Sequence, residues 1–267
     1  MNPFNAWVGN KESVEDVASP RPTQMLQALL NAEHHTLQTL PHLYHWLYFL
    51  PLVNNQHIAE DGHPHKGGFL PPIPFPKRMW AGSRVEFVSP IRLGQSLRRD
   101  SEILDIQFKQ GKSGAMYFVT VEHRIYADDH LSIIEQQDIV YRDKTTATTA
   151  TTATYSMLYP VNSVSLFRYS AITFNAHRIH YDRPYATEIE GYPGLVVHGP
   201  FLATLLIHHF KQHCDSTIKK FEFRAIQPVF DFDDVHVCGD VLKGHADLRI
   251  EKSHGQVCMQ ARVFFEE

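Results

Sequence analysis

Residues 199–213 read GPFLATLLIHHFKQH, and this stretch decides how the second half of the chain folds. Phe201, Leu202, Leu205, Leu206 and Phe210 recur at helical spacing, and Gly199-Pro200 is a start signal, because proline's fixed φ suits a first turn where its missing N–H costs nothing. So apolar a stretch predicts a largely buried helix. After it come residues 217–225, 234–242, 245–251 and 256–265, rich in alternating or β-branched apolar residues and separated by turn residues such as Gly244 and His254-Gly255. They predict an antiparallel meander following the helix.

Upstream, a similar order of elements is visible. Residues 23–30 predict a helix, residues 46–52 an aromatic-rich buried segment, and residues 62–76 a Gly/Pro-rich connection. The apolar run 43–53 is broken by His45 and Pro51 and suits a core helix or loop segment. Strands follow at 78–88, 96–107, 115–127 and 131–142, with turns at Gly94, Gly111-Lys112 and Asp128-Asp129. Between the halves, residues 144–154 (KTTATTATTAT) form a Thr/Ala tract without apolar periodicity, which predicts a linker. The expected organisation is therefore a domain at 1–143, a linker at 144–154 and a domain at 155–267. The fold class is α+β, each unit a helix wrapped by a curved antiparallel sheet. Side by side the two units can make one sheet, with a cleft between them as the natural ligand site.

Composition narrows the function. A net charge of -4 gives no reason to expect a nucleic-acid partner. No apolar run approaches the roughly 18 residues that a membrane span needs. Cys214, Cys238 and Cys258 are widely spaced and odd in number, which fits neither a disulfide framework nor a zinc motif and suits a reducing cytosol. Near the N-terminus, Glu12, Glu15 and Asp16 accompany Lys11, unlike a secretory signal or an Arg-rich presequence. With 18 histidines in the chain, no single His pair carries weight by spacing alone.

One stretch does concentrate chemistry: Phe174 to Asp182, FNAHRIHYD, shortly before Val197-His198-Gly199-Pro200. His180 lies five residues after Asn175, a spacing at which a turn can aim both side chains at one point. His180 can then move a proton near neutrality while Asn175 holds water or substrate. Equally, Asn175 can cap the turn while His180 is a half-buried, hydrogen-bonded residue. His177, His180 and Asp182 offer three metal-ligand groups but match no known metal spacing, so no metal is expected. Gly199 stands where a helix start presents free N–H groups and the positive end of the dipole.

The segments TFNAHRIHYDRPYA and GLVVHGPFLATLL resemble the MaoC-like hot-dog hydratases and dehydratases. RMWAGSRVEF, TVEHRIY and EQQDIVYR look like the N-terminal unit of the double hot-dog subgroup. Within that subgroup the chain is most similar to itaconyl-CoA and mesaconyl-CoA hydratases, with hydroxyacyl-thioester dehydratases of fatty-acid synthesis next. The resemblance implies a double hot-dog fold and a carbon–oxygen lyase acting on an acyl-CoA thioester, with CoA brought in as part of the substrate and no other cofactor. It implies His180 as the catalytic histidine, Gly199 as the N–H donor to the thioester oxygen, and Asn175 where the family usually has aspartate. An amide cannot act as a base, although it can orient water.

Arg178, Arg183, Tyr181 and His198 are then candidate substrate contacts, and Asp182 braces the loop. Arg78 and Arg84 are further cations that could pair with a substrate carboxylate. A thioesterase of this fold would use a carboxylate on or near the central helix, and 199–213 contains none. A non-catalytic acyl-CoA binding protein stays open through Asn175. The chain is expected to act as a monomeric double unit or a homodimer.

Overall fold

The computed structural model describes residues 2–32, 37–75, 77–111, 114–142 and 153–266. In the first half the regular elements are β1 (Lys11–Val17), α1 (Pro20–Leu29), β2 (Lys77–Phe87), β3 (Ser96–Gly111), β4 (Gly114–Ala127) and β5 (His130–Arg142). The second half supplies β6 (Tyr155–Tyr159), α2 (Ser163–Ile172), α3 (Gly199–His213), β7 (Thr217–Ala225), β8 (Val235–Leu242), β9 (His245–Lys252) and β10 (Gln256–Glu266). Alternation made the eight long strands legible. Along β9, for example, Ala246, Leu248 and Ile250 are buried while their neighbours are only partly covered, the two-residue period of a pleated strand with one covered face. The edge strands β1 and β6 and the short helix α2 were not foreseen. β1 is charged and half-exposed, and α2 depends on a local cap in which Asn162 accepts from the N–H groups of Val164 and Ser165.

All ten strands form one antiparallel sheet in the order β1-β3-β4-β5-β2-β7-β10-β9-β8-β6. Outward from the central β2–β7 pair, each half presents its second, fifth, fourth, third and first strand. That identity of order is what a duplicated unit produces. Pairing β2 with β7 also removes the open edge each half would otherwise carry. The seam needs a close approach: a Cβ on Gly82 would lie 2.4 Å from Phe223 O, so the irregularity between Trp80 and Gly82 fits only around glycine.

The expectation of a central helix in each half needs correction. α3 packs on β8, β9, β10 and β2, and fully buries Phe201, Ala203, Leu206 and Phe210. Each large side chain so buried contributes about 1.5–3 kcal/mol. The helix predicted over 23–30 is α1, but its main contacts are α2 and the 3-10 turn Tyr44–Leu47. The inner face of the first half-sheet is covered instead by irregular chain around that turn, with Leu43, Leu47, Tyr48 and Phe49 buried. Positive φ at Leu43 (68°) and Phe49 (57°) prevents this apolar run from being a helix. Residues 144–152 of the predicted linker lie outside the described residues; β5 ends at Arg142 and β6 begins at Tyr155.

Candidate active site

α2 ends in a tight turn. Phe174 takes φ +48°, Asn175 N–H donates to Ser170 O at 2.9 Å, and Asn175 Oδ1 accepts from His177 N–H at 3.0 Å. One lone pair of the amide oxygen therefore helps shape the turn. A 3-10 turn, Arg178–His180, follows and carries His180 inward, where it is buried. His180 Nδ1 lies 2.7 Å from Val196 O. A carbonyl can only accept, so Nδ1 carries the hydrogen and Nε2 is left with its lone pair.

His198 stacks on this ring, centroids 3.7 Å apart, and its Nε2 lies 2.9 Å from Ser170 Oγ. Burial holds His180 down at about 4 and His198 well below the ordinary histidine range. Both rings are neutral at physiological pH. His180 is thus a neutral acceptor aimed from a fixed tautomer.

His198 is also the residue immediately before α3. Its carbonyl takes the first N–H of the helical ladder, from Leu202 at 3.1 Å. Pro200 has no N–H, which leaves that of Gly199 outside the ladder at the positive end of a 15-residue helix. A Cβ on Gly199 would meet nothing nearer than Trp80 O at 3.5 Å, an ordinary contact. Packing alone does not demand glycine here. Gly199 lines the cavity, where the lack of a side chain leaves its backbone open to approach.

These groups line a cavity of about 1310 Å³ at the meeting of the two half-sheets. The second half contributes Asn175, His177, His180, His198 and Gly199, and the first half contributes His63, Lys66, Arg78 and Trp80. Of the sequence-derived candidates, the structure brings together Asn175, His180, His198 and Gly199. It does not bring Arg178, Arg183, Tyr181 or Asp182 to the cavity wall. The reason is pairing. Arg178 donates to Asp182 through Nε (2.9 Å) and Nη2 (2.7 Å) and lies over the Tyr185 ring, so Asp182 braces the loop by holding this guanidinium. Arg183 pairs with Asp231, and the Tyr181 hydroxyl donates to Ala176 O at 3.0 Å.

Arg84 is bidentate to Asp138 on the strand face opposite buried Ser83. Arg78 is the one of the four candidate arginines that lines the cavity. It has no ion-pair partner among the described residues and lies beside the Tyr141 hydroxyl.

Sequence reasoning missed the loop 58–65. His63 donates to Asp61 Oδ1 from its backbone (2.9 Å) and lies against Oδ2 through Nδ1 (3.1 Å), and its ring sits 4.0 Å from that of His177. Burial alone would raise the Asp61 carboxyl, but these bonds outweigh it and hold it below the ordinary range. Burial lowers both His63 and His177. An Asp and a His two residues apart in a Gly/Pro-rich loop was the available signal, since long structured loops often carry function. Asp61, His63 and His177 bring one ligand atom each within 4.8 Å of one another, a set able to hold a metal ion. The earlier trio is not available in that way, because Asp182 is engaged by Arg178.

One continuous antiparallel sheet of two like-ordered halves, with a long buried helix against it, defines a double hot-dog protein. Comparison with solved structures bears out the fold. A MaoC-like dehydratase from Phytophthora capsici superposes with a TM-score of 0.73 at 12% identity, covering 97% of this chain and 96% of that one. A Mycobacterium tuberculosis protein described as having a double hotdog fold superposes at 0.60 and 10% identity, covering 96% and 95%.

The family is shown by sequence. The family model described as hydroxyacyl-thioester dehydratase type 2 matches residues 43–231, and the chain belongs to that family. It is 42% identical, over 97% of its length and 96% of the relative's, to mesaconyl-C(4)-CoA hydratase of Chloroflexus aurantiacus. The chain is an enzyme of the hydratase/dehydratase type, a carbon–oxygen lyase.

Proposed function

We propose that the chain adds water reversibly to the 2,3-double bond of a short unsaturated dicarboxylyl-CoA such as mesaconyl-CoA or itaconyl-CoA. The observation that carries this reading is the bare His180 Nε2 in the same cavity wall as the free N–H of Gly199. The thioester oxygen accepts from Gly199 N–H, and charge that develops there as water attacks C3 is stabilised by this donor and the α3 dipole. A donor of this kind contributes about 2.7–4 kcal/mol. His180 Nε2 takes a proton from the water, and the resulting imidazolium, held through Nδ1 by Val196 O, returns that proton to C2. The π electrons rest on the thioester oxygen between the two events.

Arg78 supports the dicarboxylate part of the proposal, as a guanidinium in the cavity wall that has no ion-pair partner within bonding distance among the described residues and is able to take a free carboxylate bidentately. Both halves of one chain line the cavity, so a single chain supplies every group invoked, with CoA as part of the substrate. The unpaired thiols Cys214, Cys238 and Cys258 fit the cytosolic location we propose. Among the described residues no helix is long and apolar enough to cross a membrane.

A second reading, dehydration of longer 3-hydroxyacyl thioesters, is favoured by the cavity's extension along the apolar wall of Phe49, Leu50 and Leu52. Comparative turnover decides. Hydration of mesaconyl-CoA well above crotonyl-CoA and longer enoyl-CoAs is expected, and preference for crotonyl-CoA would remove the dicarboxylate proposal. His180→Ala is expected to lower kcat by roughly 10²- to 10⁴-fold; wild-type rates in that variant would overturn the mechanism.

A further inference from the structure

A water attacking C3 loses one hydrogen to an acceptor, and an acceptor for the other helps aim an oxygen lone pair at the carbon. His180 Nε2 takes one. Asn175 Oδ1 already accepts from His177 N–H at 3.0 Å and keeps one lone pair for the other, and the cavity wall offers a further acceptor.

The loop 58–65 provides one. Asp61 accepts from His63 N–H through Oδ1 at 2.9 Å and lies 3.1 Å from His63 Nδ1 through Oδ2, a geometry that places the ring hydrogen on Nδ1 and leaves the Nε2 of the neutral ring as an acceptor. His63 lines the cavity with a side chain 22% exposed. Its ring lies 4.0 Å from His177, whose ring in turn lies 5.3 Å from His180.

The loop is seated on the catalytic turn itself. Asp61 O accepts from Arg178 N–H at 2.9 Å, and Gly62 at φ +89° approaches so closely that a Cβ there would fall 1.7 Å from Ala176 O. A first-half loop has thus been fitted against the second-half turn that carries Asn175 and His180. Within the hydration chemistry proposed above, on which this inference rests, we propose that His63 is a further catalytic residue whose Nε2 accepts the second O–H of the attacking water, with Asp61 as the positioning residue that fixes its tautomer.

The balance is simple. One O–H of water breaks to His180 Nε2 as C3–O forms, His180 returns the proton to C2, and His63 exchanges hydrogen bonds but no net proton. The arrangement restores, through an imidazole, the carboxylate influence that Asn175 lacks.

Asp61→Asn, His63→Ala and His63→Gln test this in the full chain, with thermal unfolding confirming that each is folded. Asp61→Asn lets an amide donor face Nδ1, moving the ring hydrogen to Nε2. Asp61→Asn and His63→Ala are expected to lower kcat for mesaconyl-CoA by roughly 10²-fold with KM near the wild-type value. His63→Gln, whose side-chain oxygen accepts, is expected to recover activity to within about tenfold of wild type. Retained kcat in both Asp61→Asn and His63→Ala, or a loss confined to KM, would overturn the assignment. So would a wild-type rate that falls on chelation and returns with added Zn²⁺, which would make Asp61, His63 and His177 a metal site. Wild-type turnover separates the two levels: its absence on every enoyl-CoA overturns the hydratase reading as well, whereas turnover kept by the variants overturns only the role of His63.

Discussion

The two half-sheets share one strand order and differ in what lies on their inner faces. Over the second half lies α3, apolar and buried from Phe201 to Ile207 and opening on the cavity at Gly199. Over the first half lies irregular chain, beneath which sits a buried polar knot: Glu135 accepts from His45 Nε2 (3.0 Å), Trp46 Nε1 (3.0 Å) and Ser83 Oγ (2.7 Å). A helix satisfies its own backbone and needs only apolar surface beneath it. Irregular chain instead ties down exposed donors through a buried acceptor. The difference frees the first half to send a long loop across the seam. The second half brings His180 and the start of α3 to the cavity, and the first half brings Arg78 and, on its long loop, His63.

That division can be broken experimentally. The largest expected effects are in the second half, where His180→Ala removes kcat as described and Phe201→Ala empties a fully buried site under α3, costing about 3–5 kcal/mol in denaturant unfolding. Next is Glu135→Gln in the first half. Burial alone would raise this carboxyl, but the bonded His45 outweighs it and holds it down at about 2. A depressed carboxylate stabilises the fold fully above about pH 5 and ceases to do so as pH falls toward 2. The variant should therefore lose roughly 3 kcal/mol at pH 7 and converge with wild type at low pH, as seen by unfolding titrations across pH. A pH-independent difference would mean that packing, not charge, is what Glu135 provides.

Arg78→Ala should raise KM for a dicarboxylyl-CoA by about 10- to 100-fold with kcat little changed, the equivalent of one charge-assisted contact. Steady-state kinetics with mesaconyl-CoA and crotonyl-CoA would show whether the loss is specific to the free carboxylate. Gly199→Ala should fold normally, since a Cβ there makes only ordinary contact, and lower kcat/KM by about tenfold through crowding of the thioester. Smallest of all, Arg178→Ala should leave KM within about twofold of wild type, because its guanidinium faces Asp182 rather than the cavity. A large KM effect there would return substrate recognition to the second half.

By itself the sequence determined the strands β2–β5 and β7–β10, the helix α3 and the FNAHRIHYD–HGP pairing, because two-residue and 3.6-residue periods and a helix-start signal are local properties. It also pointed to a duplication through the order of its elements. Only the tertiary structure decided that the strand orders are identical, that a long helix covers one half while irregular chain covers the other, and which cations face the cavity. Arg178 and Arg78 look alike in sequence, yet one is neutralised by Asp182 four residues on while the other, on β2, has no ion-pair partner within bonding distance among the described residues. His63 likewise stayed unnoticed because it reaches the cavity across more than a hundred residues of chain. Solvation and pairing of a charged group depend on which partners the fold delivers, and no local pattern encodes them.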